Sequence, residues 1–226
     1  MEKHALHGVI GPDFPRPPSS LITQLSRHEA AKIADSMAGY GVAHHEIKPL
    51  RFDMRVCGPA ITVLTRPGDA LYVQKVIEFI QPGDIVVIDA AGYKDVAVIG
   101  ERLACYMKMR GAKGIVVDGA IRDSLGIVEE GVPTFARSQC IRIFGSVGPG
   151  AINVPVTCGG VAVNPGDIVC GDADGIVIVP RSDAQRVADL ADVHLANELA
   201  RKRQVESGQS VSEVFGLNPK LEKWQG

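Results

Sequence analysis

The stretch from Gly111 to Asp123, GAKGIVVDGAIRD, decides the fold of this chain. It contains Gly114 to Val117, a short apolar run rich in β-branched residues, which predicts a buried strand. It ends on Arg122 and Asp123, where a helix could begin. Paired opposite charges after a core strand lie where α/β folds usually place their sites. On this stretch alone, however, a surface ion pair with Asp123 as N-cap of the next helix is the more ordinary interpretation.

A strand and a helix are predicted just before this stretch. The apolar run from Ile85 to Asp89 predicts a second buried strand, followed by a glycine-containing loop. A helix is predicted from about Gly100 to Gly111. Two strands joined by a helix form a parallel βαβ unit, so both strand ends and the helix N-terminus meet at one edge. A small anionic substrate could be held there between free N–H groups of the helix and Arg122.

The flanking regions predict an arm, a further helix and a broken strand. Residues 1–20 contain four prolines and no periodicity, which predicts an extended arm. Ser26 and Glu29 form a capping box, which predicts a helix start. The segment from Arg55 to Thr65 predicts a strand that is broken at Gly58-Pro59 by a bulge or an edge position.

The second half of the chain changes character. Residues 145–180 show short alternating runs with frequent glycine, which predicts an antiparallel β unit packed against the parallel one. Within it, the run from Asp172 to Gly175 predicts a turn, because the spacing of an EF-hand is absent. Ser182 and Gln185 form another capping box, and a helix is predicted to run from there to about Ser207.

Composition excludes several classes of protein. The 226 residues carry a formal net charge of -2 and 5% aromatics, so nothing favours binding to nucleic acid or to an anionic membrane. No signal peptide or membrane-spanning run is visible, which indicates a cytoplasmic protein. The odd number of cysteines and the lack of C-x-x-C pairs favour buried structural thiols over disulfides or a zinc site. These cysteines are Cys57, Cys105, Cys140, Cys158 and Cys170.

With Glu101, twenty intervening residues and then Arg122-Asp123, the sequence resembles the RraA-like family. The resemblance covers about residues 25–205. It includes the GxxGIVVDGxIRD stretch, the run from Asn153 to Val156 and the PGDIVxxDxDGIVIVP segment that ends at Pro180. More narrowly, the chain looks like the class II pyruvate aldolases that act on 4-hydroxy-4-methyl-2-oxoglutarate and 4-carboxy-4-hydroxy-2-oxoadipate. The family also contains ribonuclease E inhibitors.

The resemblance implies an α/β fold of the swivelling β/β/α type, a layered domain. It would have a parallel βαβ core, an antiparallel β unit and a long C-terminal helix. It divides the chain into an N-terminal arm (1–25), an RraA-like catalytic domain (26–180) and a C-terminal helix and tail (181–226) that pack on a neighbouring subunit. It also implies a homotrimer or homohexamer with sites between subunits.

The family further implies a divalent metal, Mg²⁺ or Mn²⁺. Carried over by position, Asp123 would bind the metal directly. Glu101 would act through a metal-bound water, and Glu198 would reach the metal through water from a neighbouring subunit. Position 101 is Glu here, where well-known aldolases of the family carry Asp. Within one chain, the ordinary role for Glu198 is a helix salt bridge with Lys202.

The resemblance also assigns the substrate contacts. Arg122 would hold the pyruvyl oxygen, and the N–H groups of Arg102 and Leu103, which follow Gly100, would bind the pyruvate carboxylate. The expected substrate is a small oxo acid, cleaved by a retro-aldol reaction through a pyruvate enolate. A hard cation and a guanidinium suit the stabilisation of that charge, and the same site should decarboxylate oxaloacetate.

Several alternatives remain open at this point. A Schiff-base aldolase would need a lysine in the pocket, for which Lys94 and Lys113 are candidates. His44 and His45 are most simply loop or strand residues, although they could contact the distal part of a substrate. The protein could also be a non-catalytic regulator that binds ribonuclease E, or a lyase acting on another oxo acid. The regulators lack the aspartate that stands here at position 123.

Overall fold

The computed structural model describes residues 8–224, so residues 1–7 of the predicted arm and 225–226 of the tail lie outside it. The strands are β1 (Val9–Ile10), β2 (Lys48–Pro49), β3 (Val56–Thr65), β4 (Ile85–Ile99), β5 (Gly114–Ile121), β6 (Thr134–Gln139), β7 (Gly150–Ile152), β8 (Val156–Cys158), β9 (Val161–Val163), β10 (Ile168–Asp172) and β11 (Gly175–Val179). The helices are α1 (Ser19–Leu25), α2 (Ala30–Ser36), α3 (Leu71–Lys75), α4 (Glu101–Met109), α5 (Ser124–Glu130), α6 (Ala184–Glu206), α7 (Val211–Val214) and α8 (Asn218–Glu222).

The main sheet has the strand order β1-β7-β3-β4-β5-β6-β2. Its centre is parallel: β3 pairs with β4, β4 with β5, and β5 with β6. Helix α4 connects β4 to β5, and α5 connects β5 to β6. The predicted parallel βαβ unit is therefore confirmed, and a second unit of the same kind follows it. All eight residues of β5 are buried, which explains its continuous apolar sequence.

The two predicted core strands are longer than the sequence indicated. The expected loop after Asp89 is wrong, since β4 continues to Ile99. The pairing of β4 with β5 becomes irregular beyond Asp89, where Ala91 adopts a φ of 55°. The strand then resumes through an apolar segment that ends in three buried residues, Ala97, Val98 and Ile99. Tertiary burial on the sheet thus overrides the glycine and lysine that suggested a loop.

Strand β3 explains the predicted break at Gly58-Pro59. Its first residues, up to Pro59, pair antiparallel with β10, whereas from Ala60 onward it pairs parallel with β4. The strand is continuous but changes its partner there. The hairpin of β10 and β11 turns between Asp172 and Gly175, as predicted, and β8 pairs antiparallel with β9. Strand β7 departs from the predicted antiparallel unit because it joins the main sheet beside β3.

The two predicted capping boxes are wrong. Ser26 is the C-cap of α1, a helix within the predicted arm, and α2 begins only at Ala30. The Ala30 N–H donates instead to Asp172 Oδ2 at 2.7 Å, so a residue of the hairpin caps this helix from a distance. Helix α6 begins after Asp183, which makes no side-chain capping bond, and it ends at Glu206, close to the predicted Ser207.

Three apolar clusters form the core. The largest lies between the main sheet and the helices α3, α4 and α5, and a second lies against the opposite side of β3, β4 and β5. A third joins α1, α2 and the first half of α6 to the hairpin. In the second half of α6 the predicted apolar residues Leu195 and Leu199 are partly exposed. Within residues 8–224 no helix has the length and apolar character needed to cross a membrane.

Candidate active site

The site predicted from Arg122 and Asp123 lies where the carboxyl ends of β4 and β5 meet. Ile99 and Ile121 are paired at these ends, and the Arg122 N–H donates to the Ile99 carbonyl at 3.0 Å. The predicted meeting of both strand ends at one edge is confirmed, although it occurs ten residues beyond the predicted end of β4, at Asp89. The edge also carries the N-terminus of α4, because Gly100 follows β4 directly.

Arg122 and Asp123 form an ion pair at the rim of this edge. Arg122 Nε lies 3.2 Å from Asp123 Oδ1 and 3.1 Å from Oδ2. Asp123 occupies the N-cap position of α5 with a φ of 55°, but its side chain makes no capping hydrogen bond. The carboxylate instead faces Arg122, and its side chain is 42% exposed. A left-handed non-glycine residue at such a position is typical of functional sites, and Asp tolerates this conformation better than most residues.

Gly100 allows the Asp123 carboxylate to approach the start of α4. A Cβ at position 100 would lie 2.6 Å from Asp123 Oδ2 and 3.1 Å from Arg122 Cγ. The first α-helical hydrogen bond runs from the Ala104 N–H to the Gly100 carbonyl at 3.1 Å. The N–H groups of residues 101–103 therefore have no acceptor within the helix and can bind an anion.

These groups line a cavity of about 460 Å³. The structure brings together five predicted residues there: Gly100, Arg102, Leu103, Arg122 and Asp123. The sequence analysis missed the other residues of the lining, which are Gln74, Ile77, Tyr106, Ile143 and Phe144. Tyr106 could have been found, because it follows Leu103 by three residues on the same helix face. The others come from distant segments that no local pattern connects to this edge.

The two remaining predicted metal-site residues do not line this cavity within the chain. Glu101 turns its carboxylate toward Gly126 in α5. Glu198 lies on α6, where it pairs with Lys32 of α2 rather than with Lys202 and borders a separate cavity of about 880 Å³. A contact of Glu198 with Asp123 would thus have to come from another subunit, which stays a prediction.

The lysines proposed for Schiff-base chemistry lie elsewhere. Lys94 pairs with Glu46, and Lys113 borders a different cavity, beside Cys57. Of the residues between 8 and 224, no lysine lines the Asp123 cavity. The side chain of His44 is also distant from that lining: its Nδ1 lies 3.1 Å from Arg137 Nη1.

His44, Glu46 and Lys94 surround a polar cluster that the sequence analysis missed. Arg137 Nε donates to Asp118 Oδ1 at 2.5 Å, and Arg137 Nη1 donates to Glu46 Oε2 at 3.0 Å. The second oxygen of Asp118 accepts the Gly159 N–H at 2.7 Å. The sequence does carry a signal for this cluster, because Asp118 and Asp89 each end an apolar run. In the sheet the two aspartates lie side by side. This cluster joins β5, β6 and the loop after β8.

We expect Gly100→Ala to reduce activity while the protein stays folded. Position 100 has φ −140° and ψ −177°, an extended conformation that alanine adopts freely. The added methyl group would displace the Asp123 carboxylate, and misplaced catalytic groups cost roughly 10- to 100-fold in rate. Steady-state kinetics would measure the change. Gly145→Ala is the matched control, because its Cβ would meet no atom closer than 3.8 Å. Equal activity of the two variants would contradict the assignment of the Asp123 cavity as the active site.

A second expectation concerns acid stability. Lys94 and then Arg137 lower the pKa of Glu46 from its ordinary 4.5 to about 2. The unfolded chain therefore binds more protons in this range, so the stabilising contribution of Glu46 is present above pH 4.5 and is lost as the pH falls toward 2. Denaturant unfolding at several pH values should show Glu46→Gln less stable than wild type at pH 7, with the difference shrinking in acid. A stability difference that does not change with pH would contradict this.

The comparisons with known proteins agree with the fold. The family model RraA-like (Aldolase/RraA) matches residues 30–178. A relative from Halalkalibacterium halodurans, named "Putative 4-hydroxy-4-methyl-2-oxoglutarate aldolase", is 37% identical over 202 residues, which cover 89% of this chain and 94% of that protein.

Two solved structures are similar as well. RraAS2 of Streptomyces coelicolor, described as an unusual member of the RNase ES inhibitor RraA protein family, is 35% identical with a TM-score of 0.74, covering 83% of this chain and 98% of that one. An uncharacterized protein from Pseudomonas syringae has a TM-score of 0.78 at 22% identity, covering 89% and 99%, and shows the fold alone. The predicted RraA-like α/β fold is thereby confirmed. The family model covers more than half of the length of this chain, and the chain therefore belongs to the RraA-like family.

Proposed function

We propose that the protein is a lyase that cleaves a 4-hydroxy-2-oxo acid to pyruvate, or oxaloacetate, and a second oxo acid. The observation that carries the proposal is the Arg122–Asp123 pair beside the free N–H groups of α4 in one cavity. A 2-oxo acid presents a carboxylate and an adjacent carbonyl oxygen, which this arrangement can bind separately. The name of the relative at 37% identity supports aldolase chemistry in general.

The chain's own residues can hold the pyruvyl half of such a substrate. The N–H groups of Arg102 and Leu103 point from the first turn of α4, where the helix dipole also favours an anion. They would bind the carboxylate. The Arg122 guanidinium, on the adjacent strand end, would donate to the 2-oxo oxygen and stabilise the negative charge that develops there during cleavage.

Asp123 is the residue proposed to hold Mg²⁺ or Mn²⁺. Within residues 8–224 no group of three or more His, Cys, Asp or Glu side chains could hold a metal ion. The single, partly exposed carboxylate of Asp123 nonetheless fits Mg²⁺, because this ion commonly binds through one or two carboxylates and keeps several waters. When bound, the cation would act as a Lewis acid on the developing enolate charge.

Cleavage also requires removal of the proton from the C4 hydroxyl group. Glu101 is proposed for this role through an intervening water, because it is the one carboxylate on the first turn of α4. Its side chain packs toward Gly126, and α5 therefore restricts its position. The same stabilisation of a pyruvate enolate should allow oxaloacetate decarboxylation as a side activity.

A homotrimer or homohexamer is part of the proposal. Tyr106 and Ile143 line the Asp123 cavity yet are 50% and 68% exposed, which is typical of a surface that a partner covers. Glu198 lies on the long helix α6, whose second half leaves the core. A second copy that brings Glu198 to Asp123 would complete the acidic site, as the family resemblance implies.

The alternative is a regulator without catalytic activity. It is favoured by the 35% identity to RraAS2, which is described as a member of an RNase ES inhibitor family. Asp123 and its position beside Gly100 weigh against this alternative, because a surface that only binds a protein does not need a carboxylate held in a left-handed conformation.

The test is pyruvate release from 4-carboxy-4-hydroxy-2-oxoadipate, 4-hydroxy-4-methyl-2-oxoglutarate and oxaloacetate, each with Mg²⁺, Mn²⁺ or EDTA. We expect turnover of at least one substrate with metal and none with EDTA. The ranking of the substrates would identify the distal group that the cavity accepts. No turnover of any of them by folded, metal-supplied protein would refute the proposed reaction.

A further inference from the structure

Two cysteines lie opposite each other on neighbouring strands, outside the Asp123 cavity. Cys57 of β3 and Cys170 of β10 are direct partners in the antiparallel pairing, and their sulfur atoms lie 3.5 Å apart. Both thiols are free. They are remote in sequence and belong to no part of the proposed reaction, so their proximity requires a separate explanation.

The strand register brings the two side chains as close as the sheet allows. Pro59 is paired with Ile168, and the next hydrogen bond runs from the Ala60 N–H to the Asp167 carbonyl at 2.8 Å, so Pro59 and Ile168 form a pair without mutual hydrogen bonds. Such pairs alternate with hydrogen-bonded pairs along an antiparallel ladder, so Cys57 and Cys170, two residues further, form a pair of the same kind. Their Cα atoms are then expected about 4.5 Å apart. This lies at the short end of the range that disulfides span, so a bond can form without separating the strands.

The surroundings make the two thiols chemically unequal. Cys57 borders a cavity of about 280 Å³ that Arg55 and Lys113 also line. The hydrogen bond from Cys170 lowers the pKa of Cys57, and the positive charges of Arg55 and Lys113 act in the same direction. That hydrogen bond and complete burial raise the pKa of Cys170. Cys57 is thus the more exposed sulfur, with thiolate character. Cys170 borders the same cavity but is buried, and it is the protonated partner.

We propose that Cys57 and Cys170 form a reversible oxidation site, in which a hydroperoxide oxidises Cys57 and Cys170 resolves the product as a disulfide. In the first step the Cys57 thiolate attacks the terminal oxygen of the hydroperoxide and the O–O bond breaks. A sulfenic acid forms, and hydroxide leaves from hydrogen peroxide or alkoxide from an organic hydroperoxide. In the second step the Cys170 sulfur attacks the Cys57 sulfur, water leaves, and the S–S bond forms. Peroxide is reduced by two electrons in total, and the two thiols are oxidised by two.

Two other cysteines, Cys105 and Cys158, provide internal comparisons. Partial burial and the neighbouring Glu130 raise the pKa of Cys105. Cys158 is fully buried, and burial raises its pKa further. Among residues 8–224 the sulfur–sulfur hydrogen bond joins Cys57 to Cys170, and neither Cys105 nor Cys158 takes part in one. Both should therefore react with peroxide more slowly than Cys57, and neither should form an intramolecular disulfide.

The experiment treats the full-length protein with hydrogen peroxide, blocks the remaining thiols with an alkylating reagent and analyses the peptides by mass spectrometry. We expect a cross-linked pair of peptides that contains Cys57 and Cys170 and is lighter by two hydrogen atoms than the two reduced peptides together. Cys105 should be recovered in alkylated form. Dithiothreitol should restore both thiols. In Cys170→Ser the disulfide should be lost, and a sulfenic acid at Cys57 should be trapped by dimedone.

Two outcomes would overturn the proposal. One is oxidation of Cys105 before Cys57. The other is conversion of Cys57 to sulfinic acid while Cys170 remains available for alkylation. The wild-type measurement decides the matter even if Cys170→Ser fails to fold. It is also independent of the proposed lyase activity, because it monitors the thiols and not substrate turnover.

Discussion

Replacement of Asp123 by Asn is expected to lower metal-dependent pyruvate release by at least about 100-fold. Asn removes the negative charge but keeps the size of the side chain, and it tolerates the left-handed conformation, with φ 55°, as well as Asp does. The loss of activity would therefore result from weaker binding of the cation and from the missing negative charge beside Arg122, and not from a change of the backbone. Steady-state kinetics at several Mg²⁺ concentrations would separate weaker metal binding from slower turnover.

Asp53→Asn is the matched control for this variant. Asp53 is also an exposed aspartate paired with an arginine close in sequence, Arg51, but it lies outside the Asp123 cavity. Both variants should unfold at nearly the wild-type denaturant concentration, because exposed ion pairs contribute little to stability. Activity of Asp123→Asn within a few-fold of wild type would show that this carboxylate does not hold the cation.

Arg137→Met is expected to have the largest effect on stability, about 2 to 3 kcal/mol. The variant leaves the Asp118 carboxylate, which is almost fully buried, with the Gly159 N–H but without its guanidinium partner. A buried charge without its partner carries most of its desolvation cost. The bordering cavity of about 510 Å³ is open to water, so the expected loss is below that for a pair in a dry core.

Arg186→Met controls for the loss of an arginine. Arg186 is exposed, and its pair with Asp183 has a separation of 3.6 Å, so its replacement should change stability by less than about 0.5 kcal/mol. Adding Asp118→Asn to Arg137→Met should recover part of the loss, because the uncompensated charge is removed. Urea unfolding measures all four proteins. Equal stability of the Arg137 and Arg186 variants would refute a structural role for the cluster.

The sequence predicted the part of the fold that local patterns specify. The apolar runs before Asp89 and Asp118 gave two parallel strands, and the segment between Gly100 and Gly111 gave their connecting helix. The continuation of both strands beyond these aspartates could not be predicted, because it depends on burial by the rest of the sheet. The first capping box, Ser26 with Glu29, failed for a similar reason: Asp172, far away in sequence, caps α2.

The part of the candidate site that could be predicted comes from two short stretches of chain, the end of β5 and the start of α4. Arg122, Asp123 and the start of α4 meet as expected. Ile143 and Phe144 could not be placed there from sequence, because the segment that carries them reaches the cavity only through tertiary packing. Glu198 lies on another cavity of the same chain, so its predicted role requires a second subunit.

The proposed lyase activity depends on stabilisation of the enolate of pyruvate at this site. The most direct test is exchange of the pyruvate methyl protons for deuterium in D₂O, monitored by proton NMR with Mg²⁺ or Mn²⁺, since it requires no knowledge of the natural substrate. We expect the protein to make the methyl signal disappear faster than metal alone does, and we expect EDTA or Asp123→Asn to abolish this acceleration. Exchange by the folded wild-type protein no faster than with the metal alone would contradict it.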